Sequence, residues 1–269
     1  MKREPTFTSL RDAAIDAALA AGRVLMKNFG GRLNVRAKLD SSLVTQVDLA
    51  AEAAALKILS RARPDFGLLT EESHPDATTS AKHRGRWILD PLDGTTNYVH
   101  RFPMFCVSIA AEWDGDIVAG VIYHPVLKDL YVATRGKGAL INGKKMQVST
   151  STRLTNSLLS TGFTVGRDDW LQREMQAFEA LSEVSRAIRR PGSAALDLAY
   201  VARGVFDGFW ERRLSPWDVA AGGLLVQEAG GKVTDFKGAP FDPGRREILA
   251  SNGKLHKKLL GKIFPKPSV

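Results

Sequence analysis

A short apolar strand that runs directly into two aspartates most constrains how this chain can fold. Residues 87–89 have the pattern of a buried strand, and the segment 90–94, with sequence DPLDG, follows at once. Its Pro/Gly turn brings the carboxyl groups of Asp90 and Asp93 together at the end of the strand. Two carboxylates held this close need a cation, and oxygen ligands suit Mg²⁺, Mn²⁺ or Ca²⁺.

The residues after this turn point to phosphate. Gly94 and Thr95 open a short helical segment that is predicted to end before Pro103. The first N–H groups of a helix have no partner within it and attract anions, phosphate above all. Taken alone, however, the motif is better explained as an ordinary turn, with Asp93 forming the turn and Thr95 or Thr96 capping the helix.

Further acidic positions favour a functional site over a simple turn. They are Glu71, with Glu72, after a buried strand; Asp48 at the start of a helix; Glu211 at the end of a strand; and Asp218 in a segment of apolar and small residues. Each has a structural explanation of its own. The glutamates after the first strand fit solvated charge, the two aspartates fit a helix dipole, and Glu211 fits an exposed strand end. Asp218 fits its structural explanation least well, because its neighbours are apolar.

The first half of the chain predicts a helix pair that covers an antiparallel sheet. Helical spacing runs over 7–29 and from about 47 to 62, and β patterns separated by turn residues occupy 105–133. The glycines at 136–138 and 142–143 resemble a nucleotide-binding loop, but they follow a strand instead of opening a helix. Hairpin turns are therefore the favoured interpretation.

The second half alternates short strands with helices, which predicts a layered α/β arrangement. The expected strands are 158–161, 187–189, 206–210 and 232–234, and the expected helices lie near 170–185, 193–203 and 216–229, with another in the C-terminal segment. A Ser/Thr-rich stretch at 149–156 separates the two regimes. We expect residues 1–150 to carry most metal-binding motifs and residues 151–269 to carry substrate contacts and the last metal ligand, within one compact catalytic unit.

Composition narrows the class of protein. The 269 residues are 44% hydrophobic and 25% charged, which is typical of a soluble globular protein and excludes disorder and fibrous repeats. The single cysteine, Cys106, cannot form an internal disulfide, and no Cys/His spacing suits zinc. No apolar segment approaches the roughly 20 residues of a membrane span, and no signal peptide is apparent. These features predict a cytoplasmic protein without a membrane partner.

The net charge of +9 is concentrated at the C-terminus. From Arg245 onward there are seven Lys and Arg residues, the last being Lys266, against one acidic residue. A solvated helix face is the favoured interpretation, because no RNA-binding signature accompanies the lysines. Contact of the Arg245–Lys266 region with nucleic acid or a transcription complex stays open as the alternative.

Taken together, four motifs resemble those of the inositol monophosphatase family, a group of lithium-sensitive, Mg²⁺-dependent phosphatases. They are LTEES at 69–73, WILDPLDGTTNYVH at 87–100, GSAA at 192–195 and WDVAAG at 217–222. The motifs extend over most of the chain and occur in the same order. The resemblance implies alternating α, β, α, β and α layers, a mixed α/β fold, and a homodimer.

The resemblance also implies a role for each matching residue. The implied Mg²⁺ ligands are Glu71, Asp90, the carbonyl of Leu92, Asp93 and Asp218. The implied substrate contacts are Gly94 and Thr95 to the phosphate, and Asp93, Gly192, Ser193, Ala194, Glu211 and Asp218 on the remaining substrate side. Thr95, held by Asp48, would orient the attacking water and pass its proton towards Glu71, so that Glu71, Thr95, Asp48 and Asp93 form the catalytic set. No phosphoenzyme is implied.

The function implied is hydrolysis of a small polyol phosphate, with myo-inositol 1-phosphate as the leading substrate. The Thr96-Asn97-Tyr98 continuation favours this class over nucleotide phosphatases of the sulfur pathway, in which Lys and Glu usually follow Gly-Thr. Histidinol phosphate, fructose 1,6-bisphosphate and NADP-type substrates stay open as alternatives. A binding role through the basic C-terminus, without catalysis, is the alternative from another class of protein.

Overall fold

Two large sheets and a two-stranded ribbon form the β structure of the described chain. The computed structural model describes residues 4–37, 43–76, 83–163 and 169–263. The N-terminal half contains, in order, α1 (Phe7–Asn28), β1 (Val35–Ala37), β2 (Leu43–Thr45), α2 (Gln46–Ala62), β3 (Gly67–Thr70), β4 (Gly85–Asp93), α3 (Thr95–Val99), β5 (Cys106–Trp113), β6 (Asp116–His124), β7 (Asp129–Thr134), β8 (Gly138–Ile141) and β9 (Lys144–Lys145). Strands β3 to β9 lie side by side in chain order, and only β3 and β4 pair in parallel.

The C-terminal half forms the second large sheet. It contains β10 (Leu158–Thr161), α4 (Asp169–Ser182), β11 (Ala187–Arg189), α5 (Ala194–Ala202), β12 (Gly208–Arg212), α6 (Pro216–Glu228), β13 (Lys232–Thr234), β14 (Glu247–Ser251) and α7 (His256–Ile263). The strand order is β11-β10-β12-β14-β13, with β10 parallel to both neighbours and β14 antiparallel to both of its own. The mainly antiparallel sheet expected in the first half and the alternating strands and helices expected in the second half are therefore both confirmed.

Side chains that alternate across the strands hold the layers together. Along β4, Trp87 and Leu89 face the core formed with α1 and α2, whereas Ile88 faces the core formed with α5 and α6. The latter helices also pack on the second sheet, through residues such as Phe209. A third core places α4 and α7 on the outer face of that sheet. The order of layers is α, β, α, β, α, as the resemblance implied.

The structure differs from the expected strands at several places. Strand β4 extends through both aspartates to Asp93, and the short strands β2, β8 and β9 were not predicted. The strand expected at 206–210 begins at Gly208, because the carboxylate of Asp207 accepts hydrogen bonds from the Leu158 N–H and the Ser149 hydroxyl before the ladder starts. Strand β14 was not predicted, since basic residues flank it in the sequence. Its residues are largely buried, and it lies between β12 and β13.

The glycine pairs after β7 form hairpin turns, as predicted. Gly136 and Gly143 have φ values of +72° and +76°, and they lie in the turns that join β7 to β8 and β8 to β9. The division of the chain near 149–156 stays a prediction. The two sheets lie on either side of that stretch, but α6 contacts both of them. No helix among the described residues is long and apolar enough to cross a membrane.

A buried histidine joins α7 to the second sheet. The ring of His256 lies 2.9 Å from the Thr234 hydroxyl at Nε2 and 2.9 Å from the Ser251 hydroxyl at Nδ1. The Thr234 hydroxyl already donates to the Asp235 carbonyl, so it accepts from Nε2–H, and Nδ1 accepts from Ser251. This arrangement holds the ring neutral. Burial, and then the charge of Lys232, lowers the pKa of His256 to about 4.

We predict that His256 contributes stability that is lost as the pH falls from about 6.5 towards 4. The unfolded histidine takes up a proton near pH 6.5, whereas folded His256 resists protonation until about pH 4, so acid favours unfolding in this window. Urea unfolding at pH 7.5, 6 and 5 measures how the free energy of unfolding changes with pH. Between pH 7.5 and 5, His256→Gln should lose less of this free energy than the wild type does. His124→Gln serves for comparison, because burial also lowers the pKa of that histidine. An unchanged slope in His256→Gln would contradict the prediction.

Candidate active site

The two aspartates lie where the pairing of β4 with β5 becomes irregular. Asp90 pairs with Ser108 and Asp93 pairs with Cys106, so the register shifts between the two aspartates. Pro91 cannot donate to the ladder, and the shift breaks the simple alternation of faces. Asp90 is buried, and its Oδ1 accepts the N–H of Leu92 at 2.9 Å. The turn therefore folds around the first carboxylate.

Gly94 makes a turn that no other residue fits. Its φ is +93°, and a Cβ at this position would lie 2.8 Å from the carbonyl oxygen of Met104. Helix α3 begins at the next residue. Glycine is therefore required both by the left-handed backbone and by the close approach of the segment before β5.

Asp93 connects the two halves of the chain. Its Oδ2 accepts hydrogen bonds from the Ser193 hydroxyl at 2.6 Å and the Ala195 N–H at 2.8 Å. Ser193 is the N-cap of α5, so the start of that helix is fixed to the end of β4. Burial raises the pKa of Asp93 to about 6, against the lowering effect of these hydrogen bonds.

Asn97 brings the Gly192 loop to the same place. Its Nδ2 lies within 2.7 Å of the Met104 carbonyl, 2.8 Å of the Pro191 carbonyl and 3.2 Å of the Gly192 carbonyl. Gly192 has a φ of +83°. Contacts from Asn97 and Asp93 thus position residues 192–195, the third of the four sequence motifs, beside the first turn of α3.

Asp48 holds Thr95 from α2. The Thr95 hydroxyl lies 3.2 Å from Asp48 Oδ1 and 3.1 Å from the Leu92 carbonyl. Asp48 Oδ2 accepts from the N–H and the hydroxyl of Thr45, which forms the capping box of α2. The structural explanation of Asp48 as a helix-terminal acid is therefore correct, and the same carboxylate also contacts Thr95. Burial raises its pKa.

Carboxylates converge electrostatically on Asp90. Burial raises the pKa of Asp90 well above its usual range, and the nearby charges of Glu71, Asp93 and Asp218 raise it further. Asp218 also completes the capping box of α6, with its Oδ2 accepting the Ser215 N–H at 2.7 Å. The Glu71 N–H donates to the Leu89 carbonyl of β4. A buried acid among three like charges is the setting in which a divalent cation lowers the electrostatic cost.

The candidate ligand atoms have the chemistry that Mg²⁺ requires, but they are not arranged as a complete coordination shell. The set consists of oxygen atoms only, as this ion requires. Within the described ranges, no three acidic, histidine or cysteine side chains already converge as a set of metal ligands. Part of the reason is that Asp93 and Asp218 each direct one oxygen towards a helix start. The metal roles of Glu71, Asp90, Leu92, Asp93 and Asp218 stay predictions.

Glu211 lies inside β12 instead of at an exposed strand end. A Cβ at position 162 would meet its carboxylate oxygens at 2.1–2.2 Å, so Gly162 makes room for this side chain. Burial raises the pKa of Glu211, and the charges of Asp218 and Asp93 contribute. Sequence reasoning missed Gly162 and also Asp197, a buried acid whose pKa is raised by burial and then by Glu211. Asp197 could have been found in the sequence as the one acidic residue within the apolar helical segment 194–202.

Cys106 and Ser193 lie beside Asp93 but are poorly suited to act as nucleophiles. Burial raises the pKa of the Cys106 thiol well above its usual range, and Asp93 adds to this effect. A thiol that stays protonated is a weak nucleophile. The Ser193 hydroxyl donates to Asp93 and caps α5. Both observations agree with a site that needs no phosphoenzyme.

Comparison with known proteins gives the same family as the motifs. A sequence profile described as the inositol monophosphatase family matches residues 7–266. An inositol-1-monophosphatase of Mesorhizobium japonicum is 42% identical over 97% of this chain and 97% of its own length. A protein of Pseudomonas aeruginosa named Nus factor SuhB is 41% identical and covers 94% of each chain.

Solved structures share the fold. The extragenic suppressor protein suhB of Bartonella henselae has a TM-score of 0.89 and 41% identity, covering 94% of this chain and 98% of its own. An IMPase/NADP phosphatase complexed with Mg²⁺ and phosphate has a TM-score of 0.85 and 25% identity, covering 98% of each chain. On motifs, profile, sequence identity and fold, this chain belongs to the inositol monophosphatase family.

Proposed function

We propose that this chain is a Mg²⁺-dependent phosphomonoesterase that hydrolyses a small polyol phosphate, with myo-inositol 1-phosphate as the leading substrate. The burial of Asp90 near the like charges of Glu71, Asp93 and Asp218 carries the proposal, because a cation would offset their repulsion. The activity named for the Mesorhizobium relative supports it, as does the Mg²⁺ and phosphate complex of a structural neighbour.

The oxygen atoms of Glu71, Asp90, Leu92, Asp93 and Asp218 would hold Mg²⁺. When bound there, Mg²⁺ lowers the pKa of water enough for attack near neutral pH and neutralises charge that develops on the phosphoryl group. The carboxylates of this chain set where that chemistry takes place. Asp90 is the most buried of these carboxylates.

Thr95 is placed to orient the attacking water. When its hydroxyl proton points to Asp48, at 3.2 Å, the oxygen lone pairs of Thr95 face away and can accept a hydrogen bond from water. A proton lost by that water would pass to Glu71, while the Thr95 hydroxyl keeps its own proton on the Asp48 side. Asp48 thus keeps the hydroxyl turned in one direction, because its own position is fixed by Thr45.

The remaining residues would bind the two parts of the substrate at the N-termini of two helices. The N–H groups of Gly94 and Thr95 would hold the phosphate at the start of α3, and those near Ser193 and Ala194 would meet the alcohol at the start of α5. Glu211, over Gly162, offers a carboxylate to polyol hydroxyl groups. Charge-assisted hydrogen bonds of this kind select a hydroxylated alcohol over an apolar one.

We predict phosphate release from myo-inositol 1-phosphate with Mg²⁺ and inhibition by Li⁺. A panel that adds histidinol phosphate, fructose 1,6-bisphosphate and NADP ranks the alternatives by kcat/KM.

Asp93→Asn should lower kcat/KM by about 100-fold or more, because it weakens a metal ligand and its contact with α5. Glu112→Gln, which changes a carboxylate of β5 paired with Arg86, should retain activity. No phosphate release from any ester would overturn the proposal.

We also propose that the protein forms a homodimer through an apolar face beside the site. Phe102 and Val205 are 49% and 46% exposed, and they line a cleft of about 580 Å³ together with other apolar residues and with the arginines Arg189, Arg190 and Arg203. Large exposed apolar side chains gathered around one cleft are typical of an interface. A second copy of the chain would cover them.

Sedimentation analysis tests this pairing. Val205→Asp should give monomers, because a buried charge would replace an apolar contact. Leu49→Asp is the matched control, since Leu49 is an equally exposed apolar residue on α2, and it should leave the dimer intact. A wild-type monomer at micromolar concentration, or equal dissociation in both variants, would refute the proposed face.

The second candidate function is binding of nucleic acid or a transcription complex. Arg246, Lys254 and Lys257 are exposed near one another in the chain, although Arg245 pairs with Asp235; Lys266 lies outside the described residues. The name of the Pseudomonas relative favours this candidate. It can coexist with phosphatase activity.

We predict that any RNA binding through this segment weakens steeply with salt. The double variant Lys254→Glu/Lys257→Glu should abolish it, whereas Asp93→Asn should leave it unchanged. Fluorescence anisotropy with a labelled RNA at several salt concentrations measures both. Binding that persists in the lysine variant would exclude this segment as the contact.

A further inference from the structure

A buried glutamate on α2 holds the loop that carries Glu71. Glu52 is 3% exposed, and its Oε2 accepts the N–H of Glu72 at 3.1 Å. Its Oε1 accepts a short hydrogen bond from the hydroxyl of Ser73. Both carboxylate oxygens of Glu52 are thus engaged by the two residues that directly follow Glu71.

The rest of the loop closes around this carboxylate. The Ser73 hydroxyl lies 2.7 Å from His74 Nδ1, and the His74 N–H donates to the Thr70 hydroxyl at 3.1 Å. The Thr70 N–H donates to the His74 carbonyl at 3.0 Å. On its other side, the N–H of Glu71 donates to the Leu89 carbonyl at 3.2 Å. The backbone of Glu71 is therefore fixed between β4 and the residues bonded to Glu52.

Helix α2 carries two acids on one face, and each reaches a different part of the site. Asp48 and Glu52 are four residues apart, so their side chains lie one helical turn apart on the same side. The first contacts Thr95 and the second contacts the loop of Glu71. Two acids at this spacing disfavour a helix, and burying them costs further free energy. Their hydrogen bonds to the site offset that cost.

We propose that Glu52 is a positioning residue that fixes Glu71 beside the end of β4 and thereby sets the affinity of the site for its divalent cation. The effect on catalysis rests on the proposed phosphatase function. The effect on the loop and on metal affinity does not, because both can be measured without substrate.

The amide of glutamine can replace most of these contacts. In Glu52→Gln, Oε1 can accept from the Glu72 N–H while Nε2 donates to the Ser73 oxygen, whose hydroxyl then donates to His74. In Glu52→Ala, the Glu72 N–H and the Ser73 hydroxyl lose this acceptor. The loop should then move, and Glu71 with it. The conservative variant is therefore expected to rescue what alanine loses.

The test measures Mn²⁺ binding to the substrate-free protein by electron paramagnetic resonance titration. Glu52→Ala should raise the Mn²⁺ dissociation constant by about 10-fold or more, the range found for residues that orient metal ligands. Glu52→Gln should stay within about 3-fold of wild type, given the factor-of-ten scale of such contacts. Hydrogen exchange should show faster exchange at Glu72 in the alanine variant alone.

Asp235→Ala is the matched control. Asp235 is also a buried acid that accepts backbone N–H groups of a turn, from Lys237 and Ala239, but it lies in the second sheet away from Glu71. The variant Asp235→Ala should lower the free energy of unfolding without changing the Mn²⁺ dissociation constant. Equal Mn²⁺ affinity in Glu52→Ala and wild type, or an equal loss in Asp235→Ala, would overturn the inference.

Phosphate release in the same preparations separates the two proposals. Wild type that binds Mn²⁺ but releases no phosphate with Mg²⁺ would refute the proposed function, while the comparison of Glu52→Ala with wild type would still support or overturn the positioning role. Wild type that binds no Mn²⁺ would overturn the positioning role as well. With an active wild type, the half-saturating Mg²⁺ concentration for kcat should rise in Glu52→Ala by the same factor as the Mn²⁺ dissociation constant.

Discussion

The carboxylate of Asp93 makes the contact on which the arrangement of the site depends. One of its oxygens binds the start of α5 through Ser193 and Ala195, about a hundred residues later in the chain. This contact crosses from the first sheet to the layer of helices between the sheets. Asn97 adds a second connection between the same two regions through the carbonyls of Pro191 and Gly192. Residues 191–195 of the second half are thus fixed relative to the carboxylates of the first half.

Sequence reasoning succeeded where local pattern alone decides the structure. The boundaries of α1, α2 and most strands follow from apolar periodicity, caps and turn glycines, all of which act over a few residues. The pair of aspartates at the end of β4 was recognised because its members lie three residues apart, next to a proline and a glycine. Strand β14 was missed, since its partners β12 and β13 bury residues that the flanking arginines and lysines made appear exposed. Burial there is decided by tertiary packing, which a local pattern does not contain.

The missed site residues share a different property: each acts on a partner far along the chain. Glu52 bonds residues about twenty positions away, Gly162 makes room for Glu211, and Asp197 is affected mainly by burial and Glu211. A glutamate in a helix or a glycine after a strand is common, and nothing next to it in sequence distinguishes it. Only the fold brings such residues to the motifs, so the motif residues could be recognised in the sequence while the distant groups that contact them could not.

The net charge of +9 does not describe the site, because the side chains gathered there are acidic. Glu71, Asp90, Asp93 and Asp218 would repel a phosphate ester in the absence of a cation, and burial makes each charge more costly. Under the proposed function, phosphate binding at this place would require positive charge supplied from outside the chain, together with backbone N–H groups. Lys257, Lys258 and Lys262 do not fill that role, because they belong to α7 on the outer face of the second sheet. Under the proposed function, metal affinity, and hence the residues that hold Glu71 and Asp93 in place, would govern whether a phosphate ester can bind this site at all.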